Sequence, residues 1–203
     1  MRFVDTPVAD NVAVQASVGA INRYSRGGQL DAVWMNTLGD WRVGGTLGAY
    51  SRSSATGTRS TETPALLAYV AQSFPEARLA PADAHGFARL QEFHSYLAST
   101  VHIAHAHRPR ASRWADEPEA QAAMQRKVPQ NMTECFNLIE SHYLPKADQG
   151  PWVMGEQYTV ADGYLFTIGT WLKSDGVDIA SFPKVFAHTQ RMLERPAVQR
   201  ALA

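Results

Sequence analysis

Apolar residues recur every three to four positions over most of the chain after residue 60, with polar residues between them. This spacing places the apolar side chains on one face of an α-helix, which then buries that face against its neighbours. The first 60 residues have no such period. The pattern predicts helices over residues 61–74, 85–107, 119–144, 159–172, 182–195 and 197–202.

The strongest helix start lies at residue 159. Thr159 and Asp162 have the spacing of a capping box, in which the threonine oxygen accepts a hydrogen bond from the first turn and the carboxylate accepts one from the Thr159 N–H. Asp162 also places negative charge at the positive end of the helix dipole. An ordinary helix start has the same features, so the box predicts a buried structural helix and no chemistry.

A second helix start carries candidate chemistry. Glu62 and Thr63 precede Pro64, which suits the first turn of a helix, and Thr61 or Thr63 is expected to cap that helix. The free N–H groups of a helix N-terminus can bind an anion. From the pattern alone, an ordinary helix start is the simpler interpretation.

Three histidines, His94, His102 and His105, fall on one face of the predicted helix 85–107. They lie beside an apolar stripe that consists of Phe87, Leu90, Leu97, Val101 and Ala104. A metal site is disfavoured because the local pattern offers no carboxylate or thiol as a further ligand. Ordinary surface or hydrogen-bonded histidines remain an open alternative.

The rest of the helical region has features that indicate structure rather than chemistry. Residues 108–114 form a basic turn followed by an acidic run, so a solvated connection is expected, with one side towards a cleft. Within helix 119–144, Pro129 predicts a kink or a restart. Cys135 lies on the apolar face of that helix and is expected to be a packed, inert thiol.

The overall composition limits which partners and which cellular compartment the protein is expected to have. The 203 residues carry 19 basic and 19 acidic side chains, which argues against nucleic acid or an anionic membrane as a partner. A single cysteine excludes an internal disulfide and is typical of a reducing compartment. No apolar run reaches the ~18 residues of a membrane span, and Asp5 and Asp10 interrupt any signal-peptide core. A soluble cytoplasmic protein is expected.

Three runs of sequence together resemble a known family. They are Trp152-Val-Met-Gly-Glu with Tyr158-Thr-Val-Ala-Asp162, then Phe182-Pro-Lys-Val-Phe, then Glu194-Arg-Pro-Ala-Val. The first looks like the cap of the buried sixth helix in bacterial cytosolic glutathione transferases, and the others look like that family's final helices. The resemblance covers residues 61–203. It implies an α+β protein with a thioredoxin-like α/β domain over residues 1–80 and an all-α domain over residues 84–203.

The resemblance also implies a site. In the family, an acidic residue followed by Ser or Thr at a helix start holds the γ-glutamyl end of the co-substrate glutathione, and Glu62 and Thr63 match these positions. A histidine of the long helix lies near the glutathione sulfur. His102 matches it best, and His105 is a second candidate for substrate binding. An imidazolium at His102 would lower the pKa of the thiol. The implied reaction joins the glutathione thiolate to an electrophilic carbon of a small hydrophobic substrate in a homodimer.

Residues 8–60 depart from the family's pattern. The family has Ser, Cys or Tyr after its first strand and a Val-Pro with a cis bond near the position of Tyr50, and this chain has neither. Residues 39–61, rich in Gly, Ser, Thr and Arg, are expected to form a loop or to be disordered, and residues 2–5 a short edge strand. Genuine divergence or a shifted reading frame over residues 8–60 would explain the departure. Two functional alternatives follow: a catalytically silent scaffold or binding protein, and a glutathione-dependent isomerase, dehalogenase or peroxidase.

Overall fold

The computed structural model describes residues 50–52, 59–145 and 149–202. Its strands are β1 (Tyr50–Arg52) and β2 (Arg59–Thr61). The helices follow in the order α1 (Thr63–Ser73), α2 (Ala84–Tyr96), α3 (His102–Ala106), α4 (Pro118–Leu138), α5 (Val160–Gly169), α6 (Pro183–Glu194) and α7 (Pro196–Leu202). The edge strand expected over residues 2–5 lies outside the described residues.

The two strands correct the expectation of loop or disorder over residues 39–61. β1 and β2 lie within that range and pair antiparallel, with Tyr50 opposite Thr61 and Arg52 opposite Arg59. The apolar pattern missed them because neither strand alternates apolar and polar residues. Tyrosine and threonine nevertheless favour the extended backbone, and a short hairpin is held by its backbone hydrogen bonds.

The helix predicted over residues 85–107 is present, but a π-helical turn at Leu97–Val101 divides it into α2 and α3. In this turn the His102 N–H donates to the carbonyl oxygen of Leu97. A π turn accommodates one additional residue, so side chains after it are rotated by about 100° relative to an uninterrupted α-helix. The turn therefore changes the face on which His102 and His105 lie.

Helix α4 continues through Pro129, so the expected restart at that residue is wrong. Pro118 stands at the start of α4, where its missing N–H costs no hydrogen bond. A second π-helical turn, Ile139–Tyr143, prolongs α4 to the predicted end near residue 144. Cys135 is buried in this helix and burial raises the pKa of its thiol, which agrees with the prediction of an inert, packed side chain.

Helix α5 occupies the centre of the helical region, and all ten of its residues are buried. Helices α1, α2 and α6 contact it, and the N–H of Val160 donates to the carbonyl oxygen of Leu79 at 2.9 Å. The predicted capping box is confirmed, because the Asp162 carboxylate accepts from the Thr159 N–H at 2.7 Å and the reciprocal bond is also present. The capping box therefore holds the first turn of α5, and the bond to Leu79 joins that turn to the segment before α2.

The predicted apolar faces form the core around α5. Most of the residues named from the pattern are fully buried, and they include Leu66, Leu67, Val70, Leu90, Leu97, Val101, Val128, Met132, Phe136 and Ile139. Phe87 and Tyr143 are only partly buried and pack against the same core. The boundary predicted at Pro196 separates α6 from α7 as expected. Among the described residues, no helix combines the length and apolar character needed to cross a membrane.

Candidate functional site

The start of α1 is built differently from the sequence prediction. Thr61 ends β2 and Thr63 is the first helical residue, so neither is the N-cap. Glu62 occupies that position, and its side chain makes no capping hydrogen bond to the described residues of α1. The predicted threonine cap is therefore wrong. Pro64 has no N–H and the Leu66 N–H donates to the Glu62 carbonyl oxygen at 3.0 Å, so Thr63 and Ala65 supply the N–H groups of this turn that could bind an external anion.

Glu62 has an unusual backbone conformation, with φ 70° and ψ 122°. A side chain with a Cβ atom rarely adopts positive φ, and strain of this kind persists only where the surrounding structure imposes it. The side chain itself is exposed. Burial and then the charge of Glu62 raise the pKa of the Tyr164 hydroxyl, so Glu62 lies close enough to α5 to act on it electrostatically. The strained turn and α5 thus face the same region.

The three histidines divide into one core residue and one pair. His94 is fully buried, and neither of its ring nitrogens finds a hydrogen-bond partner among the described residues. Its ring contacts Tyr164 edge-on at 5.8 Å between centroids, and burial lowers its pKa to about 3. His94 is therefore a neutral core residue and does not line a binding site.

His102 and His105 lie together on Trp171. The indole is 1% exposed, and its ring centroid lies 5.0 Å from that of His102 and 4.3 Å from that of His105, which is stacked on it at 21°. His102 comes eight positions after His94. Their ring partners are Trp171 and Tyr164, and Trp171 comes seven positions after Tyr164. The additional residue of the π turn compensates for this difference, so both histidines can reach α5 and its continuation.

The partner of His105 is Asp175, which the sequence pattern does not reveal. Nδ1 of His105 lies 2.8 Å and 3.0 Å from the two carboxylate oxygens of Asp175, and the Asp175 side chain is fully buried. The two residues are 70 positions apart, and no local motif joins them. Trp171 and Asp175 are four positions apart, about one helical turn, so both can face the same side chain. This spacing points to His105 only when His105 is known to lie opposite.

The electrostatics of His102 bear on the role predicted for it. Burial, followed by the charges of Arg110, His105 and Arg113, lowers the pKa of His102 to about 4. This shift favours an uncharged imidazole near pH 7, whereas the predicted role needs an imidazolium beside the thiol, and that role stays a prediction. A neutral imidazole can still accept a hydrogen bond or a proton.

The basic turn after α3 contributes charge to this cluster. Arg110 is half-buried and Arg113 is exposed at the end of the 3-10 turn Ala111–Arg113. Both lie near enough to His102 to affect its ionisation, so residues 108–114 contribute charge to the cluster as well as connecting two helices. Positive charge of this kind favours an anion such as a thiolate. In the described ranges, no group of three or more His, Cys, Asp or Glu side chains is arranged to hold a metal ion.

The buried helix α5 with its capping box is the feature by which the sequence resembles glutathione transferases, and comparison with known proteins gives the class of this chain. The family model for the glutathione S-transferase C-terminal domain matches residues 104–203. Glutathione S-transferase GstA of Escherichia coli O157:H7 is 30% identical over 149 residues, which are 72% of this chain and 68% of that protein. The chain belongs to the glutathione S-transferase family.

Solved structures agree with this assignment. A glutathione transferase homolog from Sulfitobacter, crystallised with bound glutathione, is 42% identical with a TM-score of 0.69, over 74% of this chain and 70% of that one. The beta class glutathione S-transferase of Sphingomonas chungbukensis is 25% identical with a TM-score of 0.67, over 96% and 91% of the two chains. The predicted family and fold class are thus confirmed.

Proposed function

We propose that this chain conjugates the thiolate of glutathione to an electrophilic carbon of a small hydrophobic substrate. The observation that carries the proposal is its 42% identity to the Sulfitobacter homolog, whose structure contains glutathione. The reaction needs a site that holds the tripeptide, a means of keeping its thiol ionised and an apolar place for the second substrate. Candidates for the first two lie at α1 and at the histidine pair.

Glu62 and Thr63 are the proposed contacts for the γ-glutamyl end of glutathione. The uncapped N-terminus of α1 supports this assignment because its N–H groups can bind the γ-glutamyl carboxylate. The exposed Glu62 carboxylate can pair with the ammonium group of the same residue. The strained backbone at Glu62 is consistent with a turn held for binding rather than for stability.

His102 is the proposed contact for the sulfur. As a neutral imidazole it would accept a hydrogen bond from the S–H group, while the guanidinium groups of Arg110 and Arg113 would stabilise the negative sulfur. His105, on the same indole, is the proposed second contact. The exposed Trp114, whose ring lies 4.5 Å from that of His107, is a candidate wall for the hydrophobic substrate.

The test combines binding and turnover by the full chain. Wild-type protein should be retained on immobilised glutathione, be eluted by free glutathione and conjugate a generic aryl halide. Glu62→Gln should weaken retention by about 10-fold, since a charge-assisted hydrogen bond contributes roughly 1.5–3 kcal/mol. Folded protein that neither binds glutathione nor conjugates the halide would contradict the proposal and favour the scaffold alternative.

The assembly and the compartment remain proposals as well. We infer a homodimer in the cytoplasm, from membership of the family. Light scattering after size-exclusion chromatography measures the mass, and a monomer at micromolar concentration would contradict the first inference. Fractionation of cells that express the full chain tests the second.

A further inference from the structure

The pair formed by His105 and Asp175 is a buried, specific contact that the proposed roles do not use. Both carboxylate oxygens lie within 3.0 Å of Nδ1, and the side chains of His105 and Asp175 are 9% and 0% exposed. The His105 ring is thus a hydrogen-bond partner of both oxygens of this carboxylate. A carboxylate without water and without a partner is very unfavourable, so the contact is essential to the burial of Asp175.

The contact determines which nitrogen of His105 carries a proton. An ionised carboxylate can only accept hydrogen bonds, so Nδ1 must be the donor. Asp175 is itself held in place, because its N–H donates to the carbonyl oxygens of Trp171 at 3.0 Å and Leu172 at 3.1 Å. Nε2 is therefore the nitrogen of His105 that remains to gain or lose a proton.

Trp171 fixes the plane of the same imidazole. The two rings stack with centroids 4.3 Å apart, and the His102 ring lies 5.0 Å from the same indole. A side chain held both by a hydrogen bond at one edge and by a stacked ring at one face has little rotational freedom left. Preorganisation of this kind is what proton transfer requires of a side chain.

We propose that Asp175 is a positioning residue for His105, which it holds in the tautomer with the proton on Nδ1 so that Nε2 accepts the proton of the glutathione thiol. This inference rests on the proposed function. In the step, the S–H bond breaks, its electron pair stays on sulfur, and the proton forms a bond to Nε2. The resulting imidazolium is neutralised by the Asp175 carboxylate, and the proton is returned to water before the next turnover.

The surroundings of the pair explain why this chain would need it. The sequence offers no Ser, Cys or Tyr in the run Val8–Val12, where the family keeps its thiol-activating group. His102 is a weak base, because burial and the nearby Arg110 and Arg113 disfavour its charged form. The Asp175 carboxylate is buried beside His105, so it can balance the positive charge that His105 gains when it takes up a proton.

The tautomer is measured first, in the ligand-free full chain. Long-range proton-nitrogen NMR correlations on histidine labelled with nitrogen-15 distinguish a proton on Nδ1 from one on Nε2, and His105→Gln assigns the signal. We expect His105 to carry its proton on Nδ1 in wild-type protein. A proton on Nε2 alone would overturn the proposal, whether or not glutathione binds.

The second measurement follows the thiolate of bound glutathione by its ultraviolet absorbance. At neutral pH, Asp175→Asn and His105→Gln should each reduce the thiolate fraction by about 10-fold, and the double variant should lose no more than either single variant. The matched control is Asp178→Asn, since Asp178 is exposed and accepts only from the nearby Ala180 N–H. It should retain the wild-type fraction.

The outcomes separate the two proposals. If Asp175→Asn folds and retains the wild-type thiolate fraction, the positioning role is wrong although glutathione binding stands. If the wild-type protein does not bind glutathione, the proposed function is wrong and the thiol-proton role of His105 fails with it. If Asp175→Asn does not fold, the decision passes to His105→Gln, for which an unchanged thiolate fraction would overturn the proposal.

Discussion

Oδ1 of Asp162 lies 3.1 Å from Nε2 of His188, and both side chains are buried. The same carboxylate accepts from the backbone N–H groups of Thr159 at 2.7 Å and Val153 at 2.8 Å. One carboxylate thus joins the start of α5, the turn before it and α6. Because the proposed glutathione contacts lie elsewhere, this junction is structural.

We predict that Asp162→Ala lowers the free energy of unfolding by about 3 kcal/mol. The loss combines a helix cap, which contributes roughly 0.5–2 kcal/mol, with buried donors left without a partner, which cost roughly 1–3 kcal/mol each. Urea unfolding at pH 7, followed by circular dichroism, measures the change. Folded variant protein should keep its affinity for glutathione.

The matched control is Asp178→Ala, which also removes an aspartate that accepts from a backbone N–H. Asp178 is exposed and precedes only a short 3-10 turn, Ile179–Ser181. Its removal should cost no more than about 1 kcal/mol. Equal losses in the two variants would show that the Asp162 junction adds nothing beyond an ordinary cap.

A second prediction concerns the strain at Glu62. Glycine adopts positive φ without a steric penalty, so Glu62→Gly should raise the unfolding free energy by about 1 kcal/mol. The same change removes the carboxylate proposed to bind glutathione, so retention on immobilised glutathione should fall. Stability and binding are therefore expected to move in opposite directions, which denaturation and affinity chromatography of the same sample can test.

Arg78→Gly provides the comparison. Arg78 also has positive φ, at 49°, but it directly follows the short 3-10 turn Pro75–Ala77 and is exposed. Its replacement should change stability in the same direction and leave glutathione binding unchanged. A loss of binding in both glycine variants would indicate a general effect on the domain rather than a role of the Glu62 carboxylate.

Local features of this fold were predictable from the sequence. The Thr159–Asp162 box involves residues three apart, and its geometry follows once the chain is helical. The apolar stripes around Leu90, Val128 and Leu165 are likewise properties of single helices. Each of these elements was found because its stabilising contacts lie within one turn or on one face.

The missing part of the site depends on contacts between distant segments. Asp175 meets His105 across 70 residues, and His188 meets Asp162 across 26. Neither pair has a spacing that one sequence can reveal. The charge state of His102 could not be derived from the sequence for a related reason: its pKa depends on burial and on Arg110, which sequence periodicity does not describe.

A third prediction concerns His94 and pH. Burial lowers the pKa of His94 from 6.5 to about 3, so its contribution to stability is fully present above pH 6.5 and is lost as the pH falls towards 3, because only the unfolded chain takes up the proton. Between pH 7 and pH 5 this loss amounts to about 2 kcal/mol. His94→Phe should remove that part of the acid sensitivity, which urea unfolding at the two pH values measures.

His85→Phe is the matched variant, because His85 is exposed at the start of α2. It should leave the difference in stability between pH 7 and pH 5 as it is in wild-type protein. If His94→Phe also leaves that difference unchanged, the neutral core histidine is not a source of acid sensitivity.

The last prediction tests the charges around His102. Arg113 contributes to the lowered pKa of His102, after burial, Arg110 and His105. Arg113→Glu replaces a positive by a negative charge and should therefore raise the pKa of His102 from about 4 towards its ordinary value. Histidine NMR signals recorded from pH 7.5 down to pH 4.5 should show protonation beginning at a higher pH in the variant.

The corresponding control is Arg126→Glu, an identical substitution at an exposed position of α4. It should not move the His102 titration.

The same pair of variants, Arg113→Glu and Arg126→Glu, distinguishes two possible causes of thiol ionisation in bound glutathione. If guanidinium charge stabilises the sulfur, Arg113→Glu raises the apparent pKa of bound glutathione even though His102 becomes easier to protonate. If an imidazolium at His102 stabilised the sulfur instead, the easier protonation would lower the apparent pKa of bound glutathione, and that result would support the imidazolium role that the sequence predicts.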